Sequence, residues 1–499
     1  MRELSGDVAI VGSGISGMLV ARECLRAGQE VVVMERGGRW SHRQQLSTGR
    51  FEARVETATH NHETAPGSPK YPWDYLYAVG GSSLHWTGHA PRLAAEDLQM
   101  RTAYGVMVDW PIGYDGLEPF FERAEVALGV AGAPAPRYGP AVEAQPAHPL
   151  SPMDRLLAPL LAPYRPLPQA RPSVAVDERP ACCGAATCAL CPVDSRFSVL
   201  NGLGDVLSNR ALRLVTETVA VRLVGGPGGR ATALEGLNAR REPVRVTARS
   251  FVLAASGFEN PAILLRSGLE RQATGRYLYD HAHRTLCVRV KRPVGAGEGH
   301  TIVTGCSEAF ASGAFRSHRA GALVLPFNPG IPLGGVASDA FLDGQRGPAL
   351  REHVADRWRR TLPFDILLDD VPRPERRVSL SPRRDRLGLP LTRVTYPPAG
   401  RYEEEGFVAL RAELEQRLAP LGVETVEETP APAGGHLLGT CRMGSGADAV
   451  VDSELRHLDV ENVWVVGGSA FPTYSPWHPT LTIAALAVRA GERLAAELE

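Results

Sequence analysis

Asp7-Val-Ala-Ile-Val-Gly12-Ser-Gly14-Ile-Ser-Gly17 is an apolar run that turns on three spaced glycines near the start of a 499-residue chain. Val8 to Val11 has the pattern of a strand buried on both faces in a parallel sheet. Gly12, Gly14 and Gly17 fit G-x-G-x-x-G. The first permits a tight turn, the second lets a pyrophosphate approach the backbone, and the third lets the next helix pack close to the strand. Residues 18–27 continue with helical spacing, so the helix amides and dipole would face phosphate. A second apolar strand, residues 30–34, ends in Glu35, which lies 35 − 14 = 21 residues after the central glycine. An acid there is expected to accept a ribose hydroxyl. Strand, helix, second strand and acid together predict a dinucleotide cradle. They do not separate FAD from NAD.

Four later stretches bear on that choice. Val79-Gly80-Gly81-Ser82-Ser83-Leu84-His85-Trp86 is a second glycine-serine turn. Phe251-Val-Leu-Ala-Ala-Ser-Gly-Phe-Glu-Asn-Pro261 reads as a buried strand running into a helix, and Gly275-Arg-Tyr-Leu-Tyr-Asp280-His281 follows. Near the end come His436-Leu-Leu-Gly439-Thr440-Cys-Arg442-Met443-Gly444 and Asn462-Val-Trp-Val-Val-Gly467-Gly468-Ser-Ala-Phe-Pro-Thr, then Trp477-His478-Pro479-Thr480.

These motifs resemble those of the glucose–methanol–choline (GMC) type flavin oxidoreductases, from residue 7 to residue 482. The resemblance implies an α/β fold: a Rossmann-type FAD-binding domain with an interleaved α+β substrate domain on a mostly antiparallel sheet. The FAD-binding parts would be residues 1–100, 176–285 and 426–499. Residues 101–175 would form a mixed connection and residues 286–425 the substrate domain. Residues 286–291 and 377–381 alternate in part as half-exposed strands, and residues 403–418 read as an amphipathic helix. The resemblance further implies FAD and oxidation of an alcohol by hydride transfer to the flavin.

Such a reaction needs a base for the hydroxyl proton and a donor that holds the oxygen. Histidine suits the base because its ordinary pKa is close to neutrality. His436 and His478, 42 residues apart, both fall in the C-terminal block that resembles the family's. One is expected to be the base with the other beside it. Gly80, Gly81, Ser82, Gly467 and Gly468 are expected to approach the cofactor, and Pro479 and Thr480 to set a helix N-terminus beside the flavin. Ser83-Leu84-His85-Trp86-Thr87 resembles the segment of pyranose oxidases whose histidine carries flavin covalently, so His85 either tethers FAD or packs beside it.

Cys182, Cys183, Cys188 and Cys191 lie within ten residues of one another. Three readings stand. Close thiolates suit an iron–sulfur cluster, and bacterial FAD sugar dehydrogenases with a similar segment carry one. Four thiolates with a C-x₂-C pair also suit structural zinc. The third reading is a metal-free relic or a disulfide, which a reducing compartment disfavours.

Net charge is −1, which gives no electrostatic case for nucleic acid or an anionic membrane surface. No run approaches the ~18 apolar residues of a membrane span. The first strand begins near residue 7, so a cytoplasmic location is the expectation. Pro/Ala-rich residues 131–149 and 159–172 read as irregular surface connections. Asp365, Asp369 and Asp370 would suit an amine-bearing substrate, although a solvated charged face is the expected reading.

The leading expectation is an FAD enzyme oxidising a hydroxyl of a sugar or an aminoglycoside-type aminosugar, as in antibiotic-linked sugars. Oxygen or an external acceptor would reoxidise it. The alternatives are a dehydrogenase passing electrons through an iron–sulfur cluster, a non-redox lyase of the same type, and a non-catalytic flavin-fold subunit.

Overall fold

A computed structural model describes residues 1–48, 56–57, 62–69, 73–134, 145–185, 190–429, 434–473 and 475–499. Its centre is a five-stranded parallel sheet in the order Val463–Val465, Ser250–Leu253, Val8–Val11, Val31–Met34, Leu212–Val215. The first four of these strands are buried at every position, as strands covered by helices on both faces must be. Helix Ile15–Arg26 covers one side and packs against the C-terminal helix Thr480–Leu498. A four-stranded sheet lies beside it in the order Arg2–Ser5, Pro243–Thr247, Ala231–Asn238, Thr218–Gly225.

A six-stranded antiparallel sheet forms the other half. Its order is Val423–Thr429, Ala282–Val290, Thr361–Leu368, Ala322–Pro326, Gly305–Ser307, Tyr164–Pro166. Ala282, Leu286, Val288 and Val290 point one way, into a core shared with Phe407, Leu410, Leu414 and Leu418 of helix Arg401–Leu418. Successive strand residues face opposite ways. His281, His283, Asp365 and Leu367 therefore line a cavity on the opposite face.

Two sequence expectations are corrected. Residues 159–172 are not a surface connection: they supply strand Tyr164–Pro166, and Leu161, Leu167, Gln169, Ala170 and Arg171 are buried. Gln169 explains part of this, since its amide donates to Thr301 Oγ1 and the Val303 carbonyl at 3.0 and 2.8 Å. Asp369 and Asp370 are not a solvated face. Asp369 is buried with Arg316, whose Nε and Nη2 each donate to it at 3.0 Å while Nη1 donates to buried Asp97 at 2.8 Å. Asp370 pairs with buried Arg376. Burial pushes the Asp369 carboxyl up to about 6 despite Arg316, and Asp370 to about 7 despite Arg376.

At the first glycine turn, a Cβ on Gly17 would lie 2.1 Å from the Gly12 carbonyl oxygen, and one on Gly12 2.6 Å from that of Ala254. A Cβ on Gly14 would meet nothing within 4 Å. Gly17→Ala is therefore expected to lower the melting temperature sharply, by the equivalent of about 3 kcal/mol, while Gly14→Ala melts with the parent. Equal melting of both variants would refute this. Arg316→Leu strands two buried carboxylates and should cost about 3–5 kcal/mol, read in the same melting experiment.

Candidate active site

A cavity of about 570 Å³ lies between the C-terminal ends of the parallel strands and the inner face of the antiparallel sheet. Gly12, Ser13 and Gly14 line one end with Glu35, which follows the neighbouring strand. Glu35 is buried and accepts from Ser13 N at 2.9 Å, Ser13 Oγ at 2.6 Å and Gly37 N at 2.7 Å. Burial raises its pKa and these hydrogen bonds oppose the rise. Ser13 Oγ also accepts from Gly80 N at 3.2 Å, which ties the two glycine turns together. Gly80 and Gly81 have φ of 97° and 53°, and a Cβ on Gly81 would touch Gly14 Cα at 3.4 Å.

Gly81, Ser82, His85, Gly467, Gly468, Pro479 and Thr480 also line the cavity. The N-termini of Ile15–Arg26 and Thr480–Leu498 open there, neither capped by a side chain. Uncapped amides at a helix start favour an anion. The space beside Gly14, these helix starts and the buried acid fit a dinucleotide that sets its diphosphate on the turn and a ribose on Glu35.

Five histidines gather where the cavity meets the antiparallel sheet: His89, His281, His283, His436 and His478. The His436 and His478 rings lie 5.9 Å apart at 88°. His436 Nδ1 is 3.3 Å from Asp280 Oδ1. Asp280 is itself fixed, since its Oδ1 accepts from His281 N at 2.7 Å. His281 meets the edge of His436 at 4.8 Å. His478 Nε2 is 3.0 Å from His89 Nδ1. His283 Nε2 bonds Asp365 Oδ1.

Burial sets the charge of these rings. It drives His281 and His478 well below the ordinary imidazole pKa. It brings His89 to about 3, helped by the nearby Arg171 charge. Burial lowers His283 too, but Asp365 outweighs it and the net shift is upward. The site thus holds neutral imidazoles beside one favoured as imidazolium.

His436 and His478 were expected here. His89 and His283 carry no role in the sequence reading, Asp280 enters only within a motif, and Asp365 is weighed there for an amine-bearing substrate but read as a solvated charge. His281 and His283 carried a signal, because residues two apart on a strand share a face. Nothing in the sequence near His89 marked it.

His85 lines the cavity with Nε2 3.3 Å from Asp74 Oδ1, and its buried Nδ1 has no hydrogen-bond partner among the described residues. The hydrogen bond from His85 is the main reason Asp74 stays below the usual carboxylate range. Of the clustered cysteines, Cys188 lies outside the described residues. Cys183 is exposed, Cys182 Sγ is 3.7 Å from the His300 carbonyl, and buried Cys191 Sγ accepts from Ser195 N at 3.2 Å. Among the described residues no three His, Cys, Asp or Glu side chains converge as a metal site. Among the same residues no helix is long and apolar enough to cross a membrane.

Comparisons with known proteins agree with this architecture. A family model described as FAD binding domain matches residues 7–285, and one described as GMC oxidoreductase matches residues 372–487. The fructose dehydrogenase large subunit of Gluconobacter japonicus is 28% identical, over 99% of this chain and 99% of its own. The 6'''-hydroxyparomomycin C oxidase of Streptomyces lividus is 29% identical, over 99% of this chain and 92% of its own. Paromamine 6'-oxidase of Streptomyces fradiae is 28% identical over the same shares. Among solved structures, pyridoxine 4-oxidase from Mesorbium loti shares the fold with a TM-score of 0.67 at 20% identity, over 98% of both chains. A dinucleotide cradle joined to a C-terminal block that closes the same cavity, matched along nearly the whole length by these oxidases and dehydrogenases, makes this chain a member of the GMC oxidoreductases, FAD-dependent enzymes that oxidise hydroxyl groups.

Proposed function

We propose that this enzyme oxidises a hydroxyl group of a sugar or aminosugar, with His436 as the base. The observation that carries the reading is the contact between His436 Nδ1 and Asp280 Oδ1, with His478 across from it. A carboxylate on Nδ1 holds the proton there and leaves Nε2 as the lone pair that accepts the hydroxyl proton. Asp280 then stabilises the imidazolium that results. His478 steadies the oxygen so that the carbon–hydrogen bond is presented in one direction.

FAD, when bound, supplies the hydride acceptor. Gly12, Gly14 and Gly17 with Glu35 hold its adenosine diphosphate half in this reading. Gly80, Gly81, Ser82, His85, Gly467, Gly468, Pro479 and Thr480 surround the flavin half.

Asp365 and His283 favour a polyhydroxylated substrate. They sit on the sheet face opposite the glycine turns, and Asp365 keeps a quarter of its side chain accessible. A carboxylate held by one imidazole still has oxygen lone pairs for substrate hydroxyls or an ammonium group. Among the described residues one arginine lines the cavity, Arg36 beside Glu35, and it is engaged by Glu259 at 3.7 Å and by the Tyr77 ring at 4.3 Å, which leaves little to attract a sugar acid. The relatives, a fructose dehydrogenase and oxidases of 6'''-hydroxyparomomycin C and paromamine, point the same way.

A second reading concerns electron exit. An iron–sulfur cluster on Cys182, Cys183, Cys188 and Cys191 would carry electrons out, and the Ser195 amide that donates to Cys191 Sγ at 3.2 Å is the kind of hydrogen bond a cluster's sulfur accepts. Iron and sulfide analysis of anaerobically purified protein decides it. Iron near zero would refute the cluster and leave oxygen or an external acceptor to take electrons directly from the flavin.

Anaerobic mixing with D-fructose, paromamine, D-glucosamine and D-gluconate tests the main reading. Flavin bleaching is expected with neutral or amine-bearing sugars and not with gluconate. His436→Gln should slow bleaching by about 10²–10⁴-fold with FAD retained. A parental rate in that variant would remove His436 from the base role. Asp365→Asn should raise KM about tenfold or more while changing kcat less. A fall in kcat alone would place Asp365 outside substrate binding.

A further inference from the structure

At the substrate end of the cavity two imidazoles share one proton. His89 Nδ1 and His478 Nε2 are 3.0 Å apart, with rings nearly perpendicular at 83°. His89 is 3% exposed and His478 7%. Burial keeps both neutral: His89 lies at about 3 and His478 well below the ordinary value. A neutral imidazole has one N–H and one lone pair. Their contact uses one of each, so the state of His478 Nδ1 is decided at His89. If His89 donates, His478 carries its proton on Nδ1. If His478 donates, Nδ1 is a bare lone pair.

Arg171 breaks the tie. It is 1% exposed, and its Nη2 donates to the Thr87 carbonyl at 3.2 Å, while Nε and Nη1 have no hydrogen-bond partner among the described residues. Its segment runs beside that of His89: Gln169 bridges to His89, and Ala170 N donates to the Gly88 carbonyl at 2.7 Å. His89 Nε2 is likewise buried without a partner. A fixed positive charge with spare N–H groups favours a nearby imidazole that turns a lone pair to it and carries its proton on the other nitrogen. For His89 that other nitrogen is Nδ1, the atom facing His478. Asp280, of opposite sign, stands behind His436.

We propose that Arg171 and His89 are positioning residues that hold His478 in its Nδ1-protonated tautomer, so that His478 donates a hydrogen bond to the substrate oxygen while His436 accepts the hydroxyl proton. This rests on the alcohol oxidation proposed above. The guanidinium behind one imidazole and the carboxylate behind the other give two like side chains unlike tasks.

Nitrogen-15 NMR of histidine-labelled holoenzyme, without substrate, reads the tautomer directly. The His478 signals are assigned by their loss in His478→Asn. A proton on Nδ1 and none on Nε2 is expected in the parent. His89→Asn places an amide near the imidazole Nδ1 position and should keep this pattern. His89→Asp can only accept there and should reverse it, and Arg171→Met should mix the two forms. With the polyol that bleaches the parent flavin, the limiting reduction rate should fall about tenfold or more in His89→Asp and Arg171→Met. It should be largely restored in His89→Asn, with KM moving less than the rate. A His478 protonated on Nε2 in the parent would overturn the proposal, as would a tautomer unmoved by His89→Asp and Arg171→Met. If no alcohol bleaches the flavin but the NMR pattern is as expected, the oxidation reading fails and the tautomer assignment stands.

Discussion

A charge taken out of water must be answered within a few ångströms, and the walls of this cavity are organised by that constraint. Among the described residues five carboxylates line it. Glu35 is answered by Ser13 and Gly37, Asp74 by His85, Asp280 by His436, Asp365 by His283, and Glu259 by Arg36, Arg266 and the Tyr77 hydroxyl. At Asp74, Asp280 and Asp365 the answering group is a histidine, not an arginine. An arginine keeps its charge at any working pH, whereas an imidazole can give or take a proton without leaving its place. Arginines appear where permanence is wanted, as with Arg316 between Asp97 and Asp369 and Arg376 against Asp370. The two kinds of pair lie close together in sequence: Asp365 belongs to the first and Asp369 to the second. One strand end thus carries both an adaptable wall and a permanent brace.

The cradle was legible because its residues act over short range. Gly12 and Gly17 are needed for contacts with the next turn and with Ala254, and Glu35 ends the adjacent strand. His436 and His478 were legible because each sits in a stretch whose neighbours also carry a pattern. His283 could be placed on one strand face with His281, but its meeting with Asp365 gave no signal, since it depends on the register of strands some 80 residues apart, in which Thr285 faces Asp365. Asp369 and Asp370 misled for the same reason. Read locally they are two acids after an apolar run, and only Arg316, 53 residues before Asp369, explains the burial. Proline-rich residues 159–172 were misread because proline density signals a loop but says nothing about which sheet edge or polar side chain captures it.

The chain joins a half built on the glycine turns to a half built on the antiparallel sheet, which turns one row of side chains toward the cavity. In this chain those are mainly His281, His283, Asp365 and Leu367. Alternation along a strand allows the inner row to change while the outer row keeps its packing against helix Arg401–Leu418. The cavity wall and the packing of the sheet are thereby written on alternate residues of the same segments.

The parallel sheet pairs strand Ser250–Leu253 with Val8–Val11 on one side and Val463–Val465 on the other. Its edge therefore waits for the last tenth of the chain, and helix Thr480–Leu498 supplies both a lid for Ile15–Arg26 and a wall of the cavity. Segments 463 − 12 = 451 positions apart must meet before the cavity has all its walls. A chain that has formed only the glycine turn displays one bank of the site with nothing opposite it, so the docking of strand Val463–Val465 and helix Thr480–Leu498 is the event that encloses the space for a dinucleotide.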